Sequence, residues 1–190
     1  MVQMKRRSFL RSMATSMAAT LPAGLEGFAL AQSSAAAHSE AVHPVGAGQD
    51  ELGETHSLGF STILFKVLPK ETNGGLLVIE HKNLGNGGPP VHFHLHQDEW
   101  FYVMEGEVLF LVGESQKTLR AGESLLGPRG VPHGFAGTGA SPAHMLIAFS
   151  PAGKMEAFFR EAAVPNGPKM DAALFTKYDM QYVGPPLVSG

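Results

Sequence analysis

The stretch HFHLHQDEWFYVMEG, residues 92–106, constrains the fold more than any other part of the chain. His92, His94 and His96 fall at alternate positions, and alternate side chains of an extended strand point to one face. Two neutral imidazoles on that face can reach a single divalent cation. The polar run His96-Gln97-Asp98 then offers a turn that returns the Glu99 carboxylate toward the same ion. A set of imidazoles and a carboxylate suits one divalent transition metal: Fe, Mn, Ni, Co or Zn. The chain contains no Cys, which excludes thiolate zinc sites, iron–sulfur clusters and disulfides. A lone strand histidine is more often solvated or hydrogen-bonded than metal-bound. The pairing of His92 and His94 with a downstream Glu99 is what favours ligation.

Many short apolar runs surround this segment. Strands are expected at 60–68, 76–81, 91–96, 99–104, 108–112, 117–120, 124–126, 133–136 and 144–150, most of them bounded by Gly, Asn or Pro. The 23 Gly and 13 Pro fall in short clusters such as Gly85-Asn86-Gly87-Gly88-Pro89-Pro90. Turn signals about every 8–12 residues between short strands point to an all-β sandwich or barrel. After Ser150-Pro151 the pattern changes. Met155, Phe158 and Phe159 share one face of an amphipathic helix expected over 154–163, which either closes a barrel end or contacts a second subunit. Val164-Pro165-Asn166-Gly167-Pro168 ends it, and a short helix is expected over 170–178. There is no internal repeat.

Two spaced motifs resemble the cupin family. The first cupin motif, G-x5-H-x-H-x4-E-x6-G, is matched by His92, His94, Glu99 and Gly106, with Asn86 at its opening glycine. The second, G-x5-P-x-G-x2-H-x3-N, is matched by Gly122, Pro128, Gly130 and His133, with Gly137 at its closing asparagine. The resemblance covers roughly residues 56–150. It implies a cupin double-stranded β-helix (jelly roll) barrel with a C-terminal helical extension over 151–190. It also implies that His92, His94, Glu99 and His133 are the metal ligands. In such a barrel Phe101, Val103 and Phe135 point inward, where they either form an apolar substrate pocket around the metal or fill the core. His96 lies outside the family's ligand pattern and is expected at the rim, orienting substrate. His38, His43, His56, His81 and His144 show no ligand spacing and read as surface or strand residues.

Residues 1–31 read as a signal peptide. Lys5-Arg6-Arg7-Ser8-Phe9-Leu10-Arg11 resembles a twin-arginine export signal. A modest apolar stretch and Ala29-Leu30-Ala31 follow. A Sec signal or an uncleaved basic tail are the alternatives. The interrupted apolar stretch is too short for a membrane anchor, which takes ~20 consecutive apolar residues. Export places the protein in the periplasm. Residues 32–55, rich in Ala, Ser, Gly and Glu, read as a flexible arm. Removing the leader's net charge of +3 from the whole-chain −3 leaves about −6. Such a surface argues against nucleic acid or an anionic membrane as partner.

A metal held by three histidines and a glutamate keeps open positions for a bidentate oxygen substrate and O2, with Glu99 as ligand and proton acceptor. Quercetinase-like cupins are said to work this way. Their likeness implies a dioxygenase-type oxidoreductase acting on a small aromatic or enolic compound. Two alternatives stand: a non-catalytic periplasmic metal or small-molecule binding protein, and an O2-independent metal-dependent isomerase or lyase. Small cupins often pair barrels, so a homodimer is admitted.

Overall fold

The computed structural model describes residues 44–138 and 141–188. The expected signal peptide over 1–31, and the part of the expected arm up to residue 43, lie outside the described residues. Among the described residues, eleven strands run in chain order: β1 His56–Ser57, β2 Thr62–Val67, β3 Leu77–Leu84, β4 Pro90–His94, β5 Asp98–Glu105, β6 Glu107–Val112, β7 Ser115–Arg120, β8 Ser124–Gly127, β9 His133–Gly137, β10 Ala143–Ser150 and β11 Met180–Pro186. Two short helices, α1 Met155–Ala162 and α2 Ala172–Lys177, separate the last two strands. One sheet has the order β1-β2-β3-β10-β5-β8 and the other β11-β4-β9-β6-β7. All strand pairs in both are antiparallel. This is the expected jelly roll.

Period-two alternation makes the two sheets amphipathic. In β10, Ala143, Met145, Ile147 and Phe149 are buried, and the residues between them are less so. In β5, Glu99, Phe101 and Val103 point inward while Trp100 and Met104 are exposed. The apolar members of those inward side chains join Ile63, Phe65, Leu77, Ile79, Phe110 and Phe135 in one core between the sheets.

The amphipathic helix forms within the expected limits. It buries Met155, Phe158, Phe159 and Ala162 and closes one end of the barrel. There Phe159 lies 5.8 Å from Phe149, and Phe158 lies 6.0 Å from Phe175 of α2. The second helix starts at Asp171, whose side chain accepts from the Ala173 and Leu174 amides at 3.0 and 3.1 Å, an N-cap that satisfies two otherwise orphaned donors.

Two segments differ from the sequence expectation. Residues 44–55, grouped with the flexible arm on composition, are held against β2. The buried Asp50 accepts from the Phe65 amide at 2.6 Å and from the Leu52 amide at 2.8 Å, and the Glu51 amide donates to the Phe65 carbonyl at 2.8 Å. The end of the chain, grouped with a C-terminal helical extension over 151–190, supplies the strand β11. It pairs with β4 in the register Met180 to His94 and Tyr182 to His92. Gly184, Pro185 and Pro186 disguise that strand in the sequence, because proline cannot donate to a ladder. At the edge of a sheet this costs nothing.

Candidate metal centre

His92 and His94 sit two residues apart on β4 and so share its inner face. His133 opens β9 directly opposite His92. Glu99 reaches them from β5 in the facing sheet, so the cluster joins the two sheets. All four side chains are buried, and one ligand-type atom from each lies within 4.8 Å of every other. Glu99 Oε2 is 3.0 Å from His94 Nε2 and 2.8 Å from His133 Nε2. An ion ~2.1 Å from two ligand atoms at a right angle holds them ~3.0 Å apart, so these spacings fit a shared ion.

The second nitrogens fix the tautomers. His92 Nδ1 lies 2.8 Å from the Pro90 carbonyl and His133 Nδ1 lies 2.9 Å from the Val131 carbonyl. A carbonyl only accepts, so each Nδ1 carries the proton and donates it, which turns Nε2 toward the cluster. Aromatic packing fixes the ring planes. His92 stacks on Phe175 at 5.0 Å, and His94 meets Phe149 edge to face at 5.5 Å.

Electrostatics favour an ionised Glu99 and a neutral His92. Burial favours the protonated Glu99, but hydrogen bonds from His133 and His94 outweigh it and hold the carboxyl well below its ordinary range. Burial, reinforced by His94 and His133, lowers His92 from 6.5 to about 3, so it is a neutral imidazole. Burial opposes a charge on His133, but its bond to Glu99 prevails and raises it. Three imidazoles and one carboxylate so arranged could hold a divalent transition metal.

The segment between the ligands is pinned to the second motif. Asp98 accepts from the Arg129 amide and Nε, both at 3.0 Å, and from a guanidinium Nη at 2.7 Å. These Arg129 bonds hold its carboxyl at about 2. The Gly130 amide donates to the His94 carbonyl at 2.8 Å. The turn after His94 is therefore tied to the loop that delivers His133.

The other site expectations fare unevenly. Strand β4 ends at His94, so the alternation that would have carried His96 to the same face lapses. His96 is exposed and does not line the cavity above the cluster. Phe101 and Val103 are buried but do not line it either. Phe101 packs on Phe110, Phe135 and His133 and is core. Phe135 does line the cavity.

That cavity encloses roughly 30 Å³ and is walled chiefly by Ile147, Phe149, Met155, Phe158, Phe159 and Phe175. Its imidazole and carboxylate groups are His81, His92, His94 and Glu99. Leu58, Phe60 and Met170 border both this cavity and a larger surface groove. His81 was missed because it has no ligand spacing. Its inward position was nonetheless legible from the alternation Leu77, Ile79, His81 on β3.

Burial lowers His81 from 6.5 to about 3, against the pull of the Glu99 charge. The unfolded chain therefore takes up a proton near pH 6.5 that the folded chain refuses. Stability is full above that pH and declines as pH falls from 6.5 toward 3, by up to ~1.4 kcal/mol per unit for this residue. Urea unfolding of the wild type and His81→Phe at pH 7.5 and 5 is expected to show a shallower decline in the variant. Equal declines would contradict the neutral, buried state of His81.

The cupin domain family matches residues 83–149. No curated protein matches the chain. Among solved structures, an RmlC-like cupin from Shewanella frigidimarina is 25% identical, covering 59% of this chain and 93% of its own, with a TM-score of 0.49. TT1209 from Thermus thermophilus is 35% identical over 41% of this chain and 74% of its own, with a TM-score of 0.39. KdgF from a Halomonas species is 17% identical over 52% of this chain and 86% of its own, with a TM-score of 0.46.

Proposed function

The chain carries a cupin domain at residues 83–149, and from that premise we propose that it is a metal-dependent oxidoreductase acting with O2 on a small enolic or aromatic compound. His92, His94, Glu99 and His133 hold one divalent transition ion. The observation that carries this reading is the cluster itself: three imidazoles and a carboxylate, all buried, opening onto an almost wholly apolar cavity. When bound, the ion supplies Lewis-acid and one-electron chemistry. The chain's own residues do the rest. The carbonyl-anchored His92 and His133 present fixed Nε2 atoms. Glu99, ionised in the folded chain, is the candidate acceptor for the proton of an enol or phenol hydroxyl once its bonds to His94 and His133 are exchanged for the ion. The aromatic walls exclude water, which strengthens every electrostatic contact inside.

The cavity size refines the substrate class. Roughly 30 Å³ is room for about two waters. A compact enol or enediol asks far less room of this site than a three-ring flavonol, which makes the smaller class the better substrate. Residues 1–31 are proposed to export the protein, the mature form working in the periplasm.

The test is elemental analysis of protein recovered from periplasm without chelator, followed by O2 uptake with small enols, catechols and a flavonol. About one Fe, Mn, Ni or Co per chain with O2 consumption is the expected result. Turnover under anaerobic conditions would move the protein to the isomerase or lyase reading. Tight metal binding without turnover would make it a binding protein. Recovery only as uncut cytoplasmic precursor would refute export.

A further inference from the structure

His81 is the one polar side chain on the cavity wall outside the metal cluster that is buried with a ring nitrogen lacking a protein partner. It is 1% exposed. Its Nδ1 lies 3.0 Å from Ser61 Oγ, and its Nε2 has no hydrogen-bond partner among the described residues. Phe135 and Phe159 stand edge to face with the ring at 5.6 and 6.4 Å and offer no lone pair. A buried polar atom left unsatisfied costs ~1–3 kcal/mol, and such atoms are rare enough in native proteins to call for a reason. Because Nδ1 is turned to Ser61, Nε2 is the nitrogen left to serve the cavity that His81 shares with His92, His94 and Glu99.

We propose that His81 is the second polar anchor of this cavity, holding through Nε2 a polar atom of a small ligand whose other oxygen sits at the His92–His94–Glu99–His133 cluster. The ligand class is a compact organic acid, enol or enediol with two oxygen functions on a short apolar skeleton. With the Ser61 hydroxyl donating to Nδ1, Nε2 carries the proton and donates to the ligand oxygen. Burial keeps the ring neutral, so it adds a directed donor without adding a second charge to the site. Ser61 is then a positioning residue that fixes the tautomer. The inference rests on the metal-site reading above and adds a substrate-recognising residue to it.

The test uses full-length mature protein loaded with Co(II), whose visible absorption reports on ligands entering the coordination shell. Two probes are titrated: glycolate, which has a second oxygen function, and chloride, which has none. His81→Phe is expected to weaken glycolate roughly tenfold or more and leave chloride within about twofold, while His81→Gln, which keeps an N–H donor, recovers most of the loss. Should His81→Phe not fold, Ser61→Ala carries the test, with a severalfold loss confined to glycolate. Unchanged glycolate affinity, or a parallel loss of both probes, would overturn the proposal. Failure of the wild type to take up Co(II) would sink the metal-site reading and this one with it. Uptake without any His81 dependence sinks this one alone.

Discussion

His94→Ala and Glu99→Ala are each expected to strip the protein of most of its metal while leaving the barrel folded. Each change removes one of the four proposed ligands, and even partners one shell further out are worth ~10–100-fold in metal affinity. The losses differ in kind. Glu99 accepts from both His94 and His133, so Glu99→Ala also removes the carboxylate partner that raises the His133 pKa against the pull of burial. His94→Ala leaves the Glu99–His133 pair intact but empties the space beside Phe149. Neither site belongs to the hydrophobic cluster between the sheets, so the fold persists in both. Metal content by elemental analysis, read beside circular dichroism, checks this. Full occupancy in either variant would remove that residue from the ligand set. Glu99→Gln, which keeps the volume and loses the charge, is expected to behave like Glu99→Ala.

Gly88→Ala is expected to destabilise the protein strongly, although the change is one methyl group. A Cβ at Gly88 would lie 1.7 Å from the Phe135 carbonyl oxygen and 2.8 Å from its carbon. Gly88 leads into β4 and Phe135 lies in β9, so the collision is backbone against methyl and no rotamer relieves it. Separating the segments would break the His92–His133 register. Overpacking a tight core costs ~1–3 kcal/mol and more where backbone must move. At ~2–4 °C per kcal/mol for a chain of this size, the melting temperature should fall by about 10 °C. Gly137→Asn restores the asparagine of the cupin pattern, yet it should destabilise for the same reason. Its Cβ would meet the Gly85 and Leu84 carbonyl oxygens at 2.5 and 2.9 Å. Thermal melts decide both. A melt of Gly88→Ala within a degree or two of wild type would mean that the strands approach less closely than described.

Gly137 shows how far the sequence could be read. Its departure from the family pattern is visible in the chain, but its reason is the crossing of residues 84–87 over the end of β9, with Asn86 and Gly87 both bridged to it. Contacts between residues far apart in the chain decide such points, and a single sequence carries no record of them. The same holds for β11, which is masked by its prolines and becomes a strand only because the edge of β4 is there to receive it. Asp98 and Arg129, 31 residues apart, read as ordinary surface charges until the fold brings them together.

Local regularity made the ligand cluster legible. The spacing of His92 and His94 works because a strand alternates its faces, and the polar run before Glu99 works because a turn there reverses the chain. Strand periods and turn chemistry act over a few residues, so the sequence by itself determined an all-β chain with two imidazoles and a carboxylate brought to one place. The likeness to cupins added His133. Only the tertiary structure decided that His96 stands in solvent, that Phe101 and Val103 are core, and that His81 faces the metal cluster. A strand's alternation says which residues share a face. Which face meets a cavity, which meets packed side chains and which meets water depends on how the second sheet and the closing helix dock. That docking is a sum of many weak apolar contacts spread over the whole barrel.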